Sequence, residues 1–402
     1  MKYIVVLGDG MADEPVSELG GMTPLEYAKT PAMDSIAPKS EIGLAYTIPD
    51  GMKPGSDTAN LAVLGYNPRK HYTGRSPLEA LSIGVPMKDT DIAIRCNIVT
   101  LSDDNLPYSE KTIIDHSSSE IPTEDAAVLM EAVQKELNSD IYQFYVGTSY
   151  RHLTIWDRGE VAELTPPHDV LGRVIGGYLP QDLKLREMME KSYDILNNHP
   201  LNIERAKKGL NKANSIWFWG AGTKPSLDSF EGRYGKKGAM ISAVDLLKGI
   251  AKGTGMLNID VPGANGTLET NWEGKASAAV KVLLEDNYDF VYIHMEAPDE
   301  MGHQGSLKRK IKAIEYLDGR VVDYIIKKMG ASGEDYRMLI MPDHPTPVSC
   351  RTHTSGPVPY MLYDSTVNKN ATWLYNEKEA AKSGNVVEKG YTLMGRLLQQ
   401  PI

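Results

Sequence analysis

One serine, three aspartates and three histidines carry the chemistry this sequence is equipped to perform. Ser56 stands in Gly55-Ser56-Asp57-Thr58-Ala59-Asn60, directly after a loop rich in Gly and Pro, Pro49 to Gly55. The segment Asp57 to Leu64 reads as a helix, so Ser56 falls at its mouth. There its hydroxyl is either an N-cap or a nucleophile presented beside the positive end of a helix dipole. A bound metal ion would lower the pKa of such a hydroxyl where no neighbouring base is evident. Asp299-Glu300-Met301-Gly302-His303 places a carboxylate and an imidazole four residues apart, on one face of a helical turn, where both can grip one cation. Asp343-His344 are adjacent, His353 follows in Arg351-Thr352-His353-Thr354, and Asp9 sits between two glycines. Taken alone, each is as well explained by an ordinary structural hydrogen bond. Gathered on one rim they would make a metal centre whose mixed Asp/His donors suit Zn²⁺ or Mn²⁺ better than Ca²⁺.

The elements that must position them follow from the apolar pattern. Tyr3 to Leu7 is an uninterrupted, β-branched run ending at Asp9, as expected of a strand buried on both faces of a parallel sheet. Phe290 to Met295 leads into Glu296 and Asp299 in the same way, and Arg337 to Met341 leads into Asp343-His344. In open α/β sheets ligands lie beyond the carboxyl ends of strands, so these acids are site candidates by position. Amphipathic helices are expected at 239–253, 267–286 and 306–329. Their alternation with the strands predicts an α/β fold with a doubly wound, mostly parallel sheet. The middle of the chain differs. A strand at 92–99, a helix at 123–137, one long or broken strand at 142–156 and a helix or helical pair at 188–210 predict a smaller α+β domain. We expect it to be inserted at 70–215, with 1–69 and 216–402 forming the main domain.

The bulk properties narrow the setting. At 402 residues the chain is long enough for two domains. A net charge of −10 argues against nucleic acid as a partner. No run approaches the ~20 apolar residues that span a bilayer, and the first residues lack the features of a signal peptide. A cytoplasmic protein off the membrane is the expectation. The two cysteines, Cys96 and Cys350, are expected to be reduced and buried. Within the middle segment, Arg95, His116, Arg151 and His152 are candidates for holding an anionic substrate, with Lys237 as a candidate from the main domain.

With these residues in view, the sequence resembles the alkaline phosphatase superfamily and, within it, the archaeal-type cofactor-independent phosphoglycerate mutases. The resemblance rests on Gly8-Asp9-Gly10, Gly55-Ser56-Asp57-Thr58-Ala59, Ala297 to His303, and Pro342-Asp343-His344-Pro345-Thr346-Pro347 with His353. It extends to Ser149-Tyr150-Arg151-His152-Leu153 and Trp217 to Pro225. It implies two divalent ions, Mn²⁺ foremost, with Zn²⁺, Mg²⁺ or Co²⁺ as alternatives. Asp9, Ser56, Asp343 and His344 would hold one ion, and Asp299, His303 and His353 the other. It further implies a small phosphorylated acid as substrate and a phosphoserine at Ser56, with the inserted domain closing to keep water out.

Competing expectations are phosphotransfer to another small metabolite, such as the homoserine kinase proposed for some sequences of this branch, and a metal-dependent phosphatase. A Gly-x-x-x-x-Gly-Lys-[Ser/Thr] loop, which a kinase of the usual kind would show, does not occur. Nor does the Cys/Ser-x-Pro-x-Arg pattern of a sulfatase. A non-catalytic metal-binding protein is the remaining reading.

Overall fold

A computed structural model describes residues 1–368 and 371–400. The chain forms two compact units, Met1–Tyr72 with Ser226–Ile402, and Thr73–Pro225.

In chain order the strands are β1 (Lys2–Gly8), β2 (Ser40–Ala45), β3 (Ile92–Leu101), β4 (Ile113–Asp115), β5 (Tyr142–Thr148), β6 (Arg151–Trp156) and β7 (Ser215–Thr223). They continue with β8 (Gly238–Ile241), β9 (Leu257–Ile259), β10 (Phe290–Met295), β11 (Tyr336–Met341), β12 (Val358–Asp364) and β13 (Val386–Val387). The first unit holds an eight-stranded sheet in the order β13-β2-β12-β11-β1-β10-β8-β9. From β11 to β9 every pairing is parallel, while β12 runs antiparallel to both β11 and β2. The three acid-terminated strands expected from the sequence are therefore neighbours, β11-β1-β10, with Val5 flanked by Tyr292 and Leu339. Every residue of β1 is buried. Burying Val5, Val6 and Leu7, each at 0% exposure, contributes about 1.5–3 kcal/mol apiece. Because the strands are parallel, their carboxyl ends open on one rim, and the acids meet there. The helix Trp272–Leu284, capped by the Asn271 side chain accepting the Gly274 N–H, covers the sheet through Ala276, Ala279 and Leu283.

The second unit holds a five-stranded sheet in which β3 is central, pairing with β4, β6 and β7. The helices Thr123–Leu137 and Leu183–Leu196 contribute to its core with Leu129, Val133, Leu185 and Met189.

Several expectations shift. Residues 238–241 form strand β8 rather than the start of a helix, which runs only over Asp245–Gly253. A short apolar run is ambiguous until its neighbour, here β10, supplies the ladder. The stretch 142–156 is a hairpin of two strands, turning with Ser149 at φ 55°. The helix expected at 306–329 is interrupted by a π-helical segment, Leu317–Val322. Residues 216–225, expected in the main domain, belong to the second unit because β7 pairs along β3. Of the two thiols only Cys96 is buried, and burial pushes its pKa up to about 12, whereas Cys350 is exposed. Among the described residues no helix is long and apolar enough to cross a membrane.

Candidate active site

Asp9 and Gly10 leave the end of β1, Asp343 and His344 leave β11, and Asp299 and His303 lie on the helix Ala297–His303 that follows β10. Gly10 has φ +58°, and a Cβ there would collide with the Asp299 carboxylate and with Thr346. Only glycine lets the β1 turn approach the β10 helix this closely. The Gly10 amide donates to Asp343 Oδ1 (3.0 Å), as does the amide of His344 (2.9 Å), while Asp343 Oδ2 accepts from Asn60 Nδ2 (2.9 Å). Asn60 is fixed in turn by the Tyr292 hydroxyl (2.5 Å) and by its own bond to the Ser56 carbonyl (2.8 Å).

Ser56 is the first residue of the helix Ser56–Val63 and does not cap it; Gly55 occupies the cap position. Its Oγ instead lies 3.1 Å from His344 Nε2. That nitrogen is also 3.3 Å from Asp343 Oδ2 and 3.6 Å from Asp9 Oδ1. The His344 ring stacks at 3.9 Å on that of His353, whose Nε2 is 3.4 Å from Asp299 Oδ1 and 3.0 Å from His303 Nε2. His303 Nε2 is 3.2 Å from Asp299 Oδ2. The structure thus brings Asp9, Ser56, Asp299, His303, Asp343, His344 and His353 into one cluster.

The electrostatics of the cluster are those of a cation site. Burial, and then the charges of Asp343 and Asp299, push the Asp9 carboxyl well above its usual range. Asp9 Oδ1 is buried without a hydrogen-bond partner. Burial also opposes the charge on Asp299, but its bonds to His303 and His353 outweigh it and hold this carboxyl well below the usual range. The donor set of carboxylate oxygens and imidazole nitrogens, crowded around an orphaned oxygen, fits divalent metal ions. Asp299, His344 and His353 offer ligand atoms within 4.8 Å of one another, and Asp9, His294 and Asp343 form a second such group.

His294 was not among the candidates read from the sequence. It is fully buried in β10, with Nε2 2.9 Å from Asp9 Oδ2 and Nδ1 3.2 Å from Glu296 Oε1. Burial disfavours its charge, yet the hydrogen bonds to Asp9 and Glu296 raise its pKa to about 10. The signal was present as two polar residues, His294 and Glu296, at alternate positions where an otherwise apolar strand ends. Alternation directs both to one face.

Comparison with known proteins places the chain in a family. The chain is 47% identical over its whole length to a probable 2,3-bisphosphoglycerate-independent phosphoglycerate mutase of Geobacter sulfurreducens, covering 100% of both chains. It belongs to the 2,3-bisphosphoglycerate-independent phosphoglycerate mutase family. The mutase family model matches residues 37–202, and a mutase of Methanosarcina acetivorans is 45% identical, with 99% of this chain and 100% of that one covered. Among solved structures, a Pyrococcus horikoshii protein superposes with a TM-score of 0.81 at 30% identity, covering 100% of this chain and 98% of its own. The cofactor-independent phosphoglycerate mutase of Thermoplasma acidophilum gives 0.66 at 25% identity, with 99% of each chain covered.

In this mutase-family chain the second unit carries the other candidates except Lys237, which lies in the first. Arg95 is buried in β3, its guanidinium 4.7 Å above the Trp219 ring and 2.9 Å from Glu79 Oε1. Burial, with repulsion from Arg75 and Arg151 and against attraction to Glu79, lowers its pKa to about 10. From Trp219 a chain of rings runs through His168 (5.4 Å) and His116 (6.2 Å) to Tyr150 (5.8 Å). Arg151 lies 4.9 Å over Tyr150. Arg95, His116 and Arg151 therefore share one cluster of arginines and rings, to which the structure adds Arg75 and His168. His152 does not join it. In the β3–β6 register His152 opposes Cys96, whereas Arg151 opposes Asn97 and Leu153 opposes Arg95, so His152 projects from the other face. Its Nδ1 accepts the Gly147 N–H at 3.1 Å, and burial lowers its pKa to about 3. Lys237 is also displaced from the expectation. It precedes the first residue of β8 and bonds Asp289 before β10, which puts it at the amino ends of the strands, across the sheet from the metal-type cluster.

Proposed function

We propose that this protein interconverts 3-phosphoglycerate and 2-phosphoglycerate without added 2,3-bisphosphoglycerate, passing the phosphoryl group through Ser56. The observation that carries the reading is the Ser56 hydroxyl set 3.1 Å from His344 inside a partly buried cluster of carboxylates and imidazoles. Asp9, Ser56, Asp343 and His344 would hold one divalent ion, and Asp299, His303 and His353 a second. Such a pair of ions supplies the positive charge that acidifies a serine hydroxyl and steadies the attacking and leaving oxygens of an in-line displacement. The Ser56 oxygen then gives up its proton and forms a bond to phosphorus as the bond to the glycerate oxygen breaks, and that departing oxygen takes up a proton to become a hydroxyl. The glycerate, still bound, takes the phosphoryl group back on its other hydroxyl, which loses its proton as the bond from phosphorus to the Ser56 oxygen breaks and Ser56 regains a proton. Gly10 and Asn60 orient Asp343, and the helix behind Ser56 turns its positive end toward the phosphoryl oxygens. Arg95, His116 and Arg151 supply the donors suited to a carboxylate or phosphate. Mn²⁺ is our assignment for the native ion, and the cytoplasm for the site of the reaction.

The test uses protein stripped by chelation, reloaded with Mn²⁺ and coupled to enolase. We expect turnover of 3-phosphoglycerate without the bisphosphate, none after chelation, and weaker recovery with Zn²⁺, Mg²⁺ or Co²⁺. Folded, Mn²⁺-loaded protein that fails to turn over 3-phosphoglycerate would refute the reading, as would activity surviving thorough chelation.

A further inference from the structure

We propose that His294 is the positioning residue of Asp9, clamping one carboxylate oxygen so that the other is left to face a metal ion. The inference rests on the assignment of Asp9 as a ligand above, and deepens it. His294 stands beside Leu7 in the β10–β1 register, and Asp9 lies two residues further along, on the same face. Both imidazole nitrogens have polar partners: Nε2 meets Asp9 Oδ2 at 2.9 Å, and Nδ1 meets Glu296 Oε1 at 3.2 Å and Ser242 Oγ at 3.1 Å. A ring held at both nitrogens by its neighbours in this way acts on the site through Asp9.

Glu296 is itself held. Its Oε2 lies 2.5 Å from Lys275 Nζ, and its Oε1 accepts the Ala243 amide at 2.8 Å. Lys275 also donates to the His294 carbonyl at 2.9 Å. Lys275, Glu296, His294 and Asp9 thus form a buried chain of polar contacts, running from the helix Trp272–Leu284 to the metal-type cluster. Its last atom, Asp9 Oδ1, has no hydrogen-bond partner. The chain restricts the rotation of the Asp9 carboxylate, which would otherwise turn away from Asp343 and Asp299 when no cation is present. Partners behind a ligand typically control metal affinity by roughly 10–100-fold.

The experiment titrates Mn²⁺ into chelator-stripped full-length wild type, His294→Gln and Glu296→Gln. The signal of free Mn²⁺ by electron paramagnetic resonance reports affinity and stoichiometry, and circular dichroism verifies the fold. We expect His294→Gln to keep two ions but bind one roughly 10–100-fold more weakly, with kcat recovering as Mn²⁺ is raised. Glu296→Gln should weaken the same ion to a smaller degree, and it decides the matter if His294→Gln does not fold. Wild-type affinities in folded variants would overturn the proposal. So would a His294→Gln protein that takes up one ion even at millimolar Mn²⁺, since His294 would then be a ligand. If wild type binds two ions without interconverting phosphoglycerates, the functional reading fails while the titration still decides the role of His294.

Discussion

Ser56 Oγ lies 3.1 Å from Nε2 of His344, a residue 288 positions away in the chain. Ser56 starts its helix without capping it, so its hydroxyl contributes little to folding. Ser56→Ala should therefore keep its melting temperature, within the about ±0.5 kcal/mol of a neutral substitution. In the enolase-coupled assay it should lose at least about 10⁴-fold in kcat. A variant retaining a tenth of the activity would exclude Ser56 as the nucleophile.

Asp343 accepts from two amides through Oδ1 and from Asn60 through Oδ2. Asp343→Asn turns an amide donor toward the Asn60 donor and removes a negative charge from the cluster. We expect activity to fall at least about 100-fold, with weaker Mn²⁺ binding in a calorimetric titration. Undiminished Mn²⁺ affinity would remove Asp343 from the ligand set.

A Cβ on Gly302 would meet the Thr346 carbonyl oxygen at 2.5 Å. That carbonyl is tied to Lys310 Nζ (2.8 Å), and the Thr346 hydroxyl donates to Asp299 Oδ1 (2.5 Å). Displacement of Thr346 therefore passes directly to Asp299. Gly302→Ala should cost about 1–3 kcal/mol by overpacking and roughly 100-fold in kcat through misplacement. Gly330→Ala is the control, because nothing lies within 4 Å of its added carbon. Equal thermal and kinetic behaviour of the two variants would show that the Gly302 contact is easily relieved.

Asp318 accepts the amides of Ala32 (3.1 Å) and Met33 (2.7 Å), and burial raises its pKa from 3.8 to about 6. The folded protein then holds this proton more tightly than the unfolded chain between these two values. The group's favourable contribution is complete below the lower value and is lost as pH rises through the higher one. Whatever the fixed offset of Asp318→Asn, its melting temperature should gain on wild type from pH 4 to pH 6 and level off above. A gap that stayed constant across this range, followed by differential scanning calorimetry, would contradict the assignment.

Much of this organisation was legible in the sequence by itself. Continuous apolar runs ending in Asp9, Glu296 and Asp343 marked buried parallel strands, because only strands covered on both faces dispense with polar alternation. The four-residue step from Asp299 to His303 placed both on one helical face, as the 3.2 Å contact between them bears out. Such signals are local, arising from the period of a strand or a helix.

What only the tertiary structure decided depends on which strands become neighbours and in which register, and no local period encodes that. The β1–β10 pairing turned His294 from one more position in a strand into the partner of Asp9. The β3–β6 register separated His152 from Arg151, and the direction of β8 put Lys237 at the amino end of its strand, away from the carboxyl-end cluster. Ladder formation along β3 likewise drew residues 216–225 into the second unit. Residue types and short spacings set the available chemistry; long-range pairing chose which of those residues meet.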